Sequence, residues 1–384
     1  MITTELPSTR VRIEGAVELR AEQAGVRPSR VPSWARGQLP SEAFGLIADA
    51  ATGVRLRTRT SATVLELRLS LLRPELPGVG VLPAVFDLRI DGRAHRRQLL
   101  ECGGRVRFDP STGTPEVVPG PPVVIRFDDL PAGEKTIEVW LPHTAICDLV
   151  SLGADADVEA PTPSLLPRWV HYGSSISQAA EAAGPLDTWP AVAATSAGAE
   201  LTCLGFAGNA MLDPFVARTI RDLPAELISL EIGVNIVEQA TMRTRTFLPA
   251  VHGFLDTIRE GHPHTPVVVI SPIALPVAED RAGIIVPDPT RGPRALGTPA
   301  DVDAGALTMR IVREHLVRIV AQRAEAGELL TYLSGLELLG LDEAADLYDG
   351  IHPSATAHLR IGDRFAKVLG YLRPGQSAEP PSLS

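Results

Sequence analysis

Residues 170–179 read VHYGSSISQA, setting Gly173 and three serines directly behind an apolar, β-branched run. Such a stretch is either an ordinary strand-to-loop turn whose serines cap a helix, or the seat of a serine nucleophile, with Ser175 as the candidate and Ser174 as the competing one. Position 177 is serine, so the GxSxG elbow of the α/β-hydrolases is absent. Near the other end, YDGIHPSATAHLRIGDRF (348–365) sets Asp349 and His352 three apart, just ahead of a helix that Ser354 can cap. At that spacing one short loop directs both side chains to one place, so the carboxylate can bond one imidazole nitrogen while the other faces a serine. Taken alone, the segment is a capped helix behind an exposed loop histidine. Two further pieces, GFAGNAMLD (205–213) and EIGVNIVE (231–238), each close a strand-like run. Glycine lets a backbone N–H approach a ligand closely and asparagine adds a side-chain donor, so Gly208 and Asn235 can join the N–H of Ser175 in an oxyanion hole. Their bland reading is a pair of turns.

Composition narrows the function classes. A net charge of −10 argues against nucleic-acid or anionic-membrane partners, which need a concentrated positive surface. Lys135 and Lys367 are the only lysines, so arginine carries nearly all the positive charge. Cys102, Cys147 and Cys203 are widely separated and contain no CxxC pair, which suits reduced thiols and offers no cysteine metal site. The opening MITTELPSTRVRIEG has no basic segment followed by an apolar stretch, and no run reaches the length of a membrane span. A cytoplasmic protein acting on small molecules, without metal or cofactor, is the expectation.

Two kinds of segment must position these residues. In the first part, VRLRTRT (54–60), TVLELRLSLL (63–72), AVFDLRID (84–91) and KTIEVWLP (135–142) read as strands separated by Pro/Gly turns, without a convincing helix. An all-β sandwich or jelly roll over 1–160 follows, with DADVEAPTPSLLP (155–167) as a linker. From 165 to 373 the rhythm changes. RWVHYG, AELTCLGF, ELISLEIG, TPVVVISPI and LLTYLSG alternate with helix-like stretches at 188–199, 213–222, 240–260 and 303–326. That alternation predicts an α/β fold, a parallel sheet with helices on both faces and ligands beyond the carboxyl ends of its strands. Residues 374–384 read as a disordered tail.

The order GSS, GN, GxN, DGIHP resembles the SGNH or GDSL superfamily of serine hydrolases over roughly residues 165–372. The resemblance implies a flavodoxin-like sheet, with Ser175 matching the nucleophile, Gly208 and Asn235 the oxyanion-hole glycine and asparagine, and Asp349 and His352 the closing DxxH. Ser174 departs from the pattern, which has aspartate there; this puts the local hydrogen bonding in question. The first domain resembles the carbohydrate-binding-module-like sandwich that precedes some SGNH domains. HYGSSISQ, LGFAGNAMLDPF and HGFLDTIREGHP look most like a two-domain actinobacterial group that includes an acyltransferase acting on a tetracycline-type polyketide. The implied reaction is O-acyl transfer through an acyl-Ser175 intermediate, from an acyl thioester or ester such as an acyl-CoA to a hydroxyl of a bulky small molecule. An esterase or lipase releasing acyl groups from a small ester or carbohydrate uses the same groups, and a catalytically inactive binding protein is the remote alternative. Acyl group, acceptor and oligomeric state stay open.

Other residues have plainer readings. His262 and His264, with His252, fit a solvated loop better than a metal site, and Arg243 and Arg245 a solvated helix start better than a phosphate site. The segment 276–301 is too long for a connector and reads as a pocket wall or a mobile insertion.

Overall fold

The computed structural model describes residues 1–384 apart from 24, 77–78, 109–113, 289–291 and 372–384; the expected tail at 374–384 thus lies outside the described residues. The chain divides into two compact units, Met1–Leu165 with Ala183–Leu186, and Leu166–Ala182 with Asp187–Ser384.

The first unit is built from two mostly antiparallel sheets. Its pattern is clearest in the strand Leu65–Leu76, where every second residue points inward. Leu65, Leu67, Leu69 and Leu71 pack there with Phe86, Leu88, Ile125, Phe127, Ile137 and Val139 in one apolar core. The strands Arg55–Thr60, Ala84–Ile90 and Lys135–Trp140 lie where alternation places them. Three features differ from the sequence reading. A helix, Glu42–Asp49, occurs where only strands were expected, capped by Ser41, whose hydroxyl accepts from the Phe44 N–H at 3.1 Å. Eight residues give too little helical periodicity to detect. The strand Ile146–Ala154 pairs along Leu65–Leu76, yet a register shift between Leu149 and Ser151 breaks its period-two pattern. Finally, the expected linker contributes Val158–Glu159 to a sheet, paired with Thr60 and Arg59.

The second unit is an α/β domain, as the alternation implied. Its parallel sheet runs in the order Glu200–Gly205, Arg168–Gly173, Leu227–Glu231, Val267–Ile270, Leu330–Leu333. The first strand in sequence is therefore second in space, so the chain reverses direction beside it, and the ends of Arg168–Gly173 and its neighbours form a crevice suited to a ligand. Leu227–Glu231 and Val267–Ile270 are buried at every residue, as strands covered on both faces must be. The helices Trp189–Ala197, Pro214–Asp222, Thr244–Gly261 and Met309–Glu325 occupy the expected stretches. The final helix, Ala355–Tyr371, packs tightly on Trp189–Ala197. A Cβ on Gly362 would come within 2.5 Å of the Val192 Cβ, so the close approach of the two helices requires glycine there.

The insertion at 276–301 has structure of its own: a 3-10 turn at Pro276–Ala278, a short ladder of Ile285–Val286 with Arg294–Ala295, and a helix at Pro299–Asp303. With Ala344, Leu347 and Gly350 it lines a cavity of about 590 Å³ beside the loop that carries Asp349.

Candidate active site

Ser175 opens the one-turn helix Ser175–Gln178, directly behind the strand Arg168–Gly173. Ser174 caps that helix, its hydroxyl accepting from the Ile176 N–H at 3.2 Å. The chain can turn this sharply because residue 173 is glycine. A Cβ there would sit 2.2 Å from the Ser177 Oγ and 2.5 Å from the Glu231 Oε2.

Asp349 and His352 lie on the loop before the helix Ala355–Tyr371. The Tyr348 N–H donates to the His352 carbonyl at 2.7 Å, and Gly350 adopts a left-handed φ of +82°, a conformation that favours glycine. The tight loop folds both side chains onto each other. Oδ1 of Asp349 accepts the backbone N–H groups of Ile351 and His352 at 2.9 and 2.8 Å, while Oδ2 accepts from the His352 Nδ1 at 2.8 Å. The other ring nitrogen, Nε2, accepts from the Ser175 hydroxyl at 3.0 Å, across 177 residues of chain. Serine, imidazole and carboxylate thus form one continuous relay.

The electrostatics agree with that geometry. Burial works to raise the Asp349 pKa, but the hydrogen bonds from His352 and Ile351 outweigh it and hold the carboxyl well below the usual range. Burial also opposes charging of His352, yet the Asp349 bond and the carboxylates Glu181, Asp349 and Glu238 together raise its pKa above the ordinary imidazole value. A proton taken from a serine is therefore stabilised on His352.

The loops after the neighbouring strands supply donors. Among the described residues, the backbone N–H groups of Ser175 and Gly208 have no hydrogen-bond acceptor. Asn235 is fully buried; its Oδ1 accepts the Ala210 N–H at 3.0 Å, which ties the two loops together, and its Nδ2 gives one hydrogen to the Glu238 Oε2 at 3.1 Å. Its second amide hydrogen makes no hydrogen bond among the described residues.

Glu231 resolves the question raised by Ser174. It ends the central strand Leu227–Glu231, is completely buried, and accepts from the Ser174 N–H (2.8 Å), the Ser174 Oγ (2.9 Å) and the Ser177 Oγ (2.9 Å). A carboxylate missing from position 174 is thus provided from an adjacent strand. Behind it, His171 spans Ser177 and Ser229, each at 2.7 Å, and burial lowers its pKa to about 3. It is a neutral structural histidine and does not reach Ser175. Sequence reasoning passed over Glu231 and His171, and took Ser177 only as a turn serine, because partners on different elements leave no spacing to read.

The remaining histidines do not assemble. His262 is buried rather than solvated, bonding the Ile220 carbonyl at 3.0 Å and Thr265 at 3.2 Å, and His252 lies 3.3 Å from Arg323. Among the described residues no group of three His, Cys, Asp or Glu side chains could hold a metal ion. Arg243 anchors the start of its helix by donating to the Ala304 carbonyl at 2.8 Å.

Comparison with known proteins adds an independent line. The whole chain resembles the salicylyl-acyltransferase SsfX3 from a tetracycline biosynthetic pathway at 29% identity, covering 94% of each chain with a TM-score of 0.79. A candidate GDSL-like lipase from Bacteroides ovatus shares the fold at 20% identity, over 97% of this chain and 98% of that one, with a TM-score of 0.68. So does a family two carbohydrate esterase from Clostridium thermocellum at 11% identity, over 93% and 96%, with a TM-score of 0.58. No curated protein sequence matches significantly. Residues 168–277 match the GDSL-like lipase/acylhydrolase family. That match takes in both the Ser175 turn and the Asn235 loop, so residues 168–277 carry a GDSL-like lipase/acylhydrolase domain, in a chain similar to acyl-handling enzymes over nearly its whole length.

Proposed function

We propose that the protein is a serine-dependent O-acyltransferase with Ser175 as nucleophile, His352 as general base, Asp349 as its orienting carboxylate, and the N–H groups of Ser175 and Gly208 with Asn235 as the oxyanion hole. The carrying observation is the unbroken relay from Ser175 through His352 to Asp349. His352 takes the Ser175 proton as Oγ attacks the acyl carbonyl, then returns it to the departing thiolate or alkoxide; an acyl-Ser175 ester results. The second half repeats the steps with an acceptor hydroxyl in place of the serine. Likeness to a salicylyl-acyltransferase over nearly the whole of both chains favours transfer, onto a hydroxyl of a bulky small molecule such as a polyketide, with an acyl thioester such as an acyl-CoA as donor.

Hydrolysis is the second reading. His352 and Asp349 keep 22% and 41% of their side-chain surface open, so water can reach the acyl-enzyme. Intact-protein mass spectrometry after mixing with an activated aryl ester separates the two. Transfer gives a persistent adduct on Ser175 that added alcohols release faster than water does; fast release of free acid without such an effect makes the enzyme an esterase. Absence of any adduct, together with no labelling by a serine-directed phosphonate, would leave a binding protein.

Asn235→Ala is expected to lower kcat by roughly 10²–10³-fold while leaving KM nearly unchanged, because an oxyanion donor acts on the transition state. Steady-state kinetics with the aryl ester measure both terms.

A further inference from the structure

The imidazole of His352 faces two carboxylates on its Nδ1 side. Asp349 bonds it at 2.8 Å, and Glu181 Oε1 stands 3.9 Å from the same atom. Glu181 comes from the turn after the Ser175 helix, where Ala179 adopts a left-handed φ of +59° and the Ala182 N–H closes back on the Ala179 carbonyl at 3.0 Å. Its second oxygen, Oε2, has no hydrogen-bond partner and lies 3.7 Å from Nε2 of His358, on the final helix. His358 is wholly buried, and neither of its ring nitrogens is hydrogen-bonded. Buried donors and acceptors left unmade are costly, so two such groups facing each other across a gap slightly too long for a hydrogen bond are poised to close it.

We propose that Glu181 is a positioning residue for His352: a second carboxylate, backed by His358, that shares the imidazolium charge and takes over Nδ1–H when Asp349 lets it go. The inference rests on the reading of Ser175 and His352 as the reacting pair. Such a device serves each half of the reaction, since in both His352 takes a proton from the attacking hydroxyl, carries it as imidazolium and gives it to the leaving group. The charged groups facing His352 are Asp349 and Glu181 at Nδ1 and Glu238 from the Asn235 loop, all acidic; Glu181 is the one that also faces a second histidine.

The direction of the effect follows from charge. A negative neighbour favours the cation, so neutralising it lowers the His352 pKa. In Glu181→Gln, the His352 midpoint followed by NMR of the ring is expected to fall by about half to one pH unit. The acid limb of the kcat/KM profile on the aryl ester should fall with it, because that limb reports the free enzyme's base. The loss on Glu181→Gln should also be about tenfold larger in an Asp349→Ala background than in the wild type, as coupled partners require. An unchanged His352 midpoint with equal losses in both backgrounds would overturn the proposal. The NMR titration can be run in Ser175→Ala, so it reads Glu181 whatever becomes of turnover. Failure of the catalytic reading itself would appear separately, as wild-type turnover that survives Ser175→Ala.

Discussion

Ser175→Ala is expected to cut turnover of an activated aryl ester by roughly 10⁴-fold or more, while Ser174→Ala keeps most of it. The two serines are neighbours, but their surroundings divide the labour. Ser175 Oγ points to the His352 Nε2 at 3.0 Å, so removing it removes both the attacking atom and the covalent intermediate. Ser174 Oγ instead donates to the Glu231 carboxylate and caps the Ser175 helix. Its loss costs about 1–2 kcal/mol of stability, the usual worth of a helix cap with one buried hydrogen bond, without touching the relay. Burst kinetics and thermal melts of the two variants test this directly. High activity in Ser175→Ala with loss in Ser174→Ala would reverse the assignment.

Glu231→Ala should be the most damaging change outside that relay, destabilising the second unit by about 3–5 kcal/mol. Its carboxylate is the shared acceptor for the Ser174 N–H, the Ser174 hydroxyl and the Ser177 hydroxyl, none of which can reach water. Because the Ser174 turn also aims Ser175, acyl turnover is expected to fall along with the melting temperature. The milder Glu231→Gln keeps an acceptor in place and isolates the charge. Burial raises the Glu231 pKa, the bonds from Ser174 and Ser177 offsetting it only in part. The folded state therefore holds this proton to a higher pH than the unfolded chain does. Stability contributed by the group is present below the unfolded carboxyl pKa and is lost as pH rises from there through the raised folded value. Glu231→Gln lacks that slope, so melts across the acid range should show the variant gaining on the wild type as pH increases; parallel curves would count against the charge.

The fold class was legible because each unit repeats one period. Leu65, Leu67, Leu69 and Leu71 alternate strictly, and the apolar runs of the second unit alternate with helical stretches. Where the period failed, so did the reading. Ile146–Ala154 was hidden by its bulge, and Glu42–Asp49 is a helix too short to show a periodicity.

The candidate site divides along the same line. Asp349 and His352 are three residues apart, so a local turn, with Gly350 supplying the left-handed residue, is enough to bring them together; sequence alone determines that pairing. The glycine of GSS and the asparagine of GVN could also be named from residue type, since turns and donors are local matters. Everything that joins these pieces is tertiary. Ser175 meets His352 across 177 residues because the final helix, which follows the His352 loop, packs on Trp189–Ala197, the helix that follows the Ser175 turn. Glu231 replaces the carboxylate absent at 174 because two adjacent parallel strands set Tyr172 beside Leu230, leaving the next residues to face each other at the strand ends. Glu181 reaches His352 only through a turn and a helix that pack in three dimensions. A side chain's partner within one turn is fixed by chain geometry, whereas a partner on another strand is chosen by packing, and packing leaves no mark on spacing.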